Sequence, residues 1–445
     1  MANSRKSISP NLPERLAAGL APLLPADSTI LIGLSGGVDS VVLLHLLHQL
    51  APRFLWKIAA LHVHHGISAN ADDWAAFCDY LCKQHQIPLH IEKVDIVPLR
   101  AHGIEAAARR LRLAAFAAQS CDFVALAHHA DDQVETLFLQ LLRGAGVRGA
   151  SAMPSTSKDS RRIVRPLLHS SRQEILDYAA AHDLQWIEDE SNADEGYPRN
   201  FLRHRLLPLL GEKFPAYRET LVRSTQHFAE ASELLDDLAM LDATDAIHAD
   251  TLALAALQQL TLPRAKNLLR YFLRQLGAPM PQVVQLEAML HQLCNARDDA
   301  KICISFGSDW QVRRYQGRVY VLRALPEFER NFVLPWQGEA ELAWPVLNKK
   351  LLFRQGVGLN ISLKKLQLAP VTLRLRQGGE TLRPAANAAT RTLKNLLQEH
   401  QIPPWQRDRL PLLYCGEQLV CITGVAIAAE YQALENEAAL SVHFD

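Results

Sequence analysis

Apolar positions in the first 145 residues fall into short blocks separated by amphipathic stretches, and this alternation predicts repeated strand–helix units. Ser28 to Leu34 is an apolar run leading into Gly36-Gly37, and Val41 to Leu50 is so uniformly apolar that it reads as a helix buried on a sheet. Lys57 to His64 and Leu89 to Val94 read as the second and third strands, with helices over Asp72 to His85 and Ile104 to Gln119. Phe123 to His128 makes a fourth strand and Asp131 to Arg143 the next helix, with Leu137, Phe138, Leu141 and Leu142 as its buried face. Strands joined by helices of this length imply right-handed crossovers and a parallel sheet. Such sheets bind ligands beyond the carboxyl ends of their strands. The three most polar clusters, at 35–40, 62–66 and 128–132, all fall there.

Beyond a loop from Met153 to Arg162, a helix is expected over Ser171 to His182, and the polar stretch Glu188 to Arg199 runs into a helix containing Asn200 to Leu207. Phe214 to Gln292 is helical in pattern, and Lys301 to Arg323 alternates like a hairpin with turns at Gly307-Ser308 and Gln316-Gly317. Pro335 and Pro345 mark 326–356 as a linker. In the last segment Val371, Leu373 and Leu375 alternate with Thr372, Arg374 and Arg376, which gives one strand a basic face. Gly378-Gly379 then makes a turn, and Arg391 to His400 is an amphipathic helix with Leu393, Leu396 and Leu397 on one side. The expected fold is therefore α/β: a parallel-sheet N-terminal domain (1–214), a mainly helical middle domain (215–325), the linker, and a small α+β domain (357–445).

At 445 residues the chain exceeds what a single hydrophobic core supports, which agrees with several domains. The formal net charge is zero, so charge argues neither for nor against nucleic acid. The first ten residues have no apolar core segment, and Leu419 to Ala429 is too short to span a bilayer, so no membrane partner is expected and the cytoplasm is the expected compartment. The seven cysteines are odd in number, scattered, and contain no C-x-x-C pair; Cys78 and Cys82 read as buried helical thiols.

The most informative chemistry is Ser35-Gly36-Gly37-Val38-Asp39-Ser40, between a strand and a helix. Peptide N–H groups and the helix dipole at such a junction favour an anion, and two glycines let a phosphate approach the backbone. Ser35 and Ser40 add hydroxyls, and Asp39 can hold Mg²⁺ on phosphate oxygens. The Walker A pattern and its lysine are absent. His62, His64 and His65 lie too close on one strand to share an ion easily, so they read as polar groups lining a nucleotide edge. Asp131, Asp132 and Glu135 share one helical end beside His128 and His129, which suits Mg²⁺ or an ammonium group. On the preceding helix Glu105 and Arg109 are spaced as an ion pair, while Arg109 and Arg112 share a face that can reach a phosphate.

SGGVDS after a strand resembles the PP-loop ATPases, which cleave ATP between the α- and β-phosphates. HVHHG, GIEAAARRLR, HHADDQVETLFLQLLRGAGVRG, RPLL (165–168), WIEDESN (186–192), RNFLRHRLLP (199–208) and RTLKNLLQEHQIPPWQRDRLPLL (391–413) extend the resemblance, which is to the tRNA(Ile)-lysidine synthetases and covers most of the chain. The resemblance implies adenylation of the wobble cytidine in the CAU anticodon of tRNA(Ile), then attack by the ε-amine of free L-lysine with loss of AMP. It implies ATP contacts from Ser35, Gly36, Gly37, Val38, Asp39, Ser40, His62 and Arg109, and Mg²⁺ on Asp39 and Asp132. Catalysis would rest on Asp39, Asp132 and Glu135, with Glu135 the candidate proton acceptor and the acids an anionic pocket for lysine. Lysine or tRNA contacts would come from His129, Asp131, Arg143, Arg199 and Arg203, with tRNA also held by Arg374, Arg376, Arg391 and Lys394. A homodimer stays open. The nearest alternative is a PP-loop tRNA thiolase, a class that commonly uses cysteines, often C-x-x-C.

Overall fold

The computed structural model describes residues 11–66, 68, 70–97, 104–157, 162–297 and 300–444. The side chain of Glu105 and the residues 158–161 of the expected loop lie outside this set. The chain divides into two compact units, Met1–Asp237 and Leu238–Asp445.

In the first unit α1 (Leu12–Leu20) precedes β1 (Thr29–Gly33), α2 (Val38–Phe54), β2 (Lys57–His64), α3 (Ala71–Gln84), β3 (Leu89–Lys93), α4 (Ile104–Ala118), β4 (Phe123–Ala125) and α5 (Ala130–Leu142). The short α6 (Val147–Ala150), β5 (Arg162–Val164) and α7 (Arg172–Ala181) follow. All pairings in the five-stranded sheet β3-β2-β1-β4-β5 are parallel. β5 is a strand that the pattern does not announce, because three residues are too few to show a period; its pairing with β4 makes it one. One face of the sheet packs on α1, α2, α3 and α7 through Ile30, Ile32, Val42, Leu46, Cys78 and Ile175, all buried. Phe116 and Ala115 of α4 cover the other face against Leu31, Leu61 and Val124. The chain leaves β1 toward β2 and returns to β4 on the opposite side, so a crevice opens at the β1 and β4 ends.

The buried face of α5 differs from the expected one. Leu141 and Leu142 are exposed, whereas Asp132, Gln133, Val134, Glu135 and Leu137 are buried. Its first two turns are covered by the segment that follows: α8 (Pro198–Phe201), a π turn (Leu202–Leu206), α9 (Leu207–Lys213) and the start of α10 (Tyr217–Asp242), with Val134 packed on Leu207 and Tyr217.

In the second unit three helices (Leu254–Gln259, Leu262–Gln275, Val283–Asn295) pack on a five-stranded antiparallel sheet, which adds strands to the helical pattern read for that region. The hairpin is present, with Gln316 and Gly317 both at positive φ in its turn. The segment 326–356 is not a linker. Val333–Trp336 pairs with Val371–Arg374, and Glu341–Trp344 pairs with Lys349–Val357, which in turn pairs with Ala438–Phe444. Pro335 is tolerated because Val333–Trp336 is an edge strand. Trp344, Leu351 and Phe353 from this segment enter the same core as Leu373, Leu396 and Leu440.

Candidate active site

Residues 34–37 turn sharply from β1 into α2. Gly36 has φ +89°, where a side chain would be strained, and a Cβ there would lie 2.9 Å from Ile187 Cδ1. Gly37, the N-cap of α2, has φ −72°, and a Cβ there would meet only the Ser35 hydroxyl, at 3.6 Å. No side chain caps α2, which leaves its first-turn amides available to an anion. The Ser40 hydroxyl fills the inside of the turn: it accepts from the Ser35 and Gly36 amides, each at 3.2 Å, and donates to the Gly37 carbonyl at 2.9 Å. The segment containing WIEDESN closes one side, with the Ile187 amide donating to Gly36 O at 2.9 Å.

Asp39 projects from the first turn of α2 toward the residues after β4. Its Oδ1 is buried and has no hydrogen-bond partner, while Oδ2 lies 3.4 Å from Arg172 Nη1. His129 Nε2 is 3.7 Å from Asp39 Oδ1 and 3.6 Å from Asp132 Oδ2. Burial pushes the Asp39 carboxyl above its ordinary value, and the charges of His129 and Arg172 only partly offset this.

Asp132 Oδ2 accepts the His129 amide at 3.0 Å, and Oδ1 accepts Arg199 Nη2 at 2.9 Å. Burial alone would raise its carboxyl, but His129, Arg199, His128 and the His129 amide outweigh burial and hold it below the ordinary range. Glu135 has no exposed surface. It accepts Arg199 Nε at 2.6 Å and Arg203 Nε and Nη2 at 2.7 and 3.1 Å. Arg199 and Arg203 are one helical repeat apart and so present both guanidiniums to α5. Asp131 accepts the Arg172 amide at 3.0 Å and Arg218 Nε at 2.5 Å.

Two expectations change here. Glu135 is the anchor of two guanidiniums, Oε2 accepting two hydrogen bonds and Oε1 one, so its charge is already committed to Arg199 and Arg203. The cluster is also not an anionic pocket: four carboxylates (Asp39, Asp131, Asp132, Glu135) face four guanidiniums (Arg172, Arg199, Arg203, Arg218). Arg172 and Arg218 carry no pattern of their own in the sequence; only the fold brings them to the acids.

His62 is buried and donates Nδ1–H to the Leu34 carbonyl at 2.9 Å, so it braces the base of the loop. Burial lowers the basicity of His62, and burial lowers His128 to about 4. Arg109 is exposed on α4, close enough to weaken the proton affinity of His128 and of the buried Arg165, whose own burial is the larger cause in each case. Arg143 is exposed at the far end of α5, about 12 to 18 Å of helical rise from the acids of that helix, and is not brought into the cluster. In the second unit Arg374 forms a two-pronged pair with Glu417 at 2.8 and 3.0 Å, and Arg376 and Arg391 pair with Asp408 and Glu399. The basic face read from the strand is therefore largely neutralised within its own unit, and Lys394 lies exposed on the following helix.

A PP-loop domain model matches residues 9–210, a TilS substrate binding domain model 252–320, and a TilS substrate C-terminal domain model 371–444. The tRNA(Ile)-lysidine synthase of Nitrosomonas europaea is 43% identical over 449 residues, covering 99% of this chain and 97% of that protein. The chain belongs to the tRNA(Ile)-lysidine synthase family. Other members include those of Coxiella burnetii, 37% identical over 96% of this chain and 95% of its own length, and Salmonella typhimurium, 38% identical over 93% and 96%. Membership implies ATP use by the PP-loop domain at 9–210, and the two substrate-domain models both fall in the second unit. No helix among the described residues is long and apolar enough to cross a membrane.

Proposed function

We propose that this protein is an ATP-dependent tRNA-modifying ligase that joins free L-lysine to C2 of the wobble cytidine in the CAU anticodon of tRNA(Ile), through an adenylated cytidine. Membership of the lysidine synthase family over nearly the whole chain carries this reading. The uncapped start of α2 and the absence of a side chain at Gly37 suit the pyrophosphate that departs when the cytidine oxygen takes AMP. Mg²⁺ fits Asp39, whose buried Oδ1 has no hydrogen bond; bound there it would neutralise phosphate oxygens. Asp132 fits less well, because the His129 amide and Arg199 already use its oxygens.

Lysine at neutral pH carries a carboxylate, an α-ammonium and an ε-ammonium that must lose a proton before it can attack. A site that sets guanidiniums and carboxylates side by side suits such an amino acid better than a purely acidic pocket would, with lysine competing for ion pairs the cluster already makes. His129, whose buried Nδ1 lacks a hydrogen bond and whose Nε2 stands beside Asp39 and Asp132, is our candidate to hold a proton in transit. The thiolase alternative has weak physical support: burial pushes the Cys78 and Cys82 thiols up to about 12 and about 11, which keeps them protonated and poorly nucleophilic. We place the protein in the cytoplasm with its tRNA, as monomer or homodimer.

The test is incorporation of labelled lysine into a CAU-anticodon tRNA(Ile) transcript with ATP, alongside release of AMP. Label in tRNA that vanishes when the wobble cytidine is changed to uridine supports the reading. AMP release with no lysine in the tRNA overturns it.

A further inference from the structure

Arg172 is the first residue of α7, after the Ser171 cap, and its amide is held by Asp131 Oδ2 at 3.0 Å. Its backbone is therefore fixed at the mouth of the crevice. Its side chain is not: 42% of it is exposed, and among the described residues its guanidinium has one polar contact, Asp39 Oδ2 at 3.4 Å. On its other side Asp39 carries a buried oxygen, Oδ1, with no hydrogen bond among the described residues and with His129 Nε2 near it, at 3.7 Å. A guanidinium and a divalent cation on one carboxylate repel each other, so a metal ion taken up by Asp39 displaces the more mobile partner. Asp39 stands in the first turn of α2, so a guanidinium released from it is within reach of the uncapped N-terminus, where phosphate oxygens would be the complementary charge.

Resting on the ATP reading above, we propose that Arg172 is a two-position residue: it neutralises Asp39 in the empty enzyme and swings to the departing pyrophosphate once Asp39 takes the metal. The same side chain thus opposes metal binding alone and favours metal bound together with pyrophosphate. It resists premature loading and then stabilises charge on the leaving group.

The test uses the full chain and two probes without turnover: Mn²⁺ alone, with free ion counted by electron paramagnetic resonance, and magnesium pyrophosphate by calorimetry. Arg172→Ala is expected to bind Mn²⁺ at least about threefold tighter, because a competing cation is gone. It is expected to bind magnesium pyrophosphate about tenfold more weakly, because a charge-assisted hydrogen bond is lost. Arg172→Lys keeps the charge and restores most of the first effect and part of the second; it also serves if the alanine variant does not fold. A purely structural role would weaken both ligands together, and that result, or no change in either, overturns the inference while leaving the ATP reading standing. A wild-type protein that binds no pyrophosphate overturns both.

Discussion

Glu135 tests whether the acid cluster is built as described. Glu135→Ala removes the carboxylate that receives three hydrogen bonds from Arg199 and Arg203, at 2.6, 2.7 and 3.1 Å. Removing one partner of a buried ion pair costs about 3–5 kcal/mol, because the remaining charge is left uncompensated. Two features reduce that here. The arginine side chains are 26 and 27% exposed, so water reaches them, and Asp132 remains at 2.9 Å from Arg199 and 3.6 Å from Arg203. The expected loss is about 2–3 kcal/mol of local stability. Hydrogen exchange read by mass spectrometry on peptides from α5 and residues 198–206 should then accelerate between about 30- and 150-fold. Replacing Glu135, Arg199 and Arg203 together by leucine, with Asp132→Asn so that no buried acid loses its guanidinium, should recover much of the protection while leaving the enzyme inactive, since an apolar triad of similar volume needs no counter-charges. If Glu135→Ala exchanges like wild type and loses only the lysine-dependent step, Glu135 is a substrate ligand and the anchor argument fails.

Burial raises the Asp39 carboxyl, so the stability tied to its protonated form is fully present below the ordinary aspartate value and lost as pH rises through the folded value. Asp39→Asn should accordingly raise the thermal midpoint at pH 7 but not at strongly acidic pH, and should abolish AMP release; an unchanged midpoint at pH 7 would count against the burial argument. His45 contacts Tyr178 at 3.0 Å and the rings of His85 and His182, and burial, helped by His182, His85 and His48, lowers it to about 4. Its neutral form therefore contributes stability above pH 6.5 that disappears as pH falls toward about 4, and His45→Asn should flatten the decline of the melting midpoint across that window. In the second unit Glu417→Gln with Asp408→Asn releases Arg374 and Arg376 from their partners. tRNA binding at low salt should tighten and the log–log salt slope should steepen by up to about 2; an unaltered slope would show that neither arginine meets phosphate.

What the sequence decided by itself is what depends on neighbours along the chain. Period and turn chemistry located β1 through β4 and the helices between them to within a few residues, because burial on a parallel sheet demands continuous apolar runs. The nucleotide loop was legible because its chemistry sits in six consecutive residues, one of which needs a positive φ. The hairpin at 310–323 and the buried Leu393, Leu396 and Leu397 were legible on the same ground. Tertiary structure alone decided which charges meet. Arg172 is 133 residues from Asp39, Arg218 is 87 from Asp131, and Arg203 is 68 from Glu135, so no local pattern could show that the acids are matched one for one by guanidiniums. It also decided that Leu141 and Leu142 face outward while Glu135 is buried, since a helix shows its apolar positions but not which end a later segment will cover. Three strands in 326–356 were hidden for a related reason: edge and hairpin strands interrupted by proline gain their order from partners as distant as Ala438–Phe444, and pairing of that kind is a property of the folded chain alone.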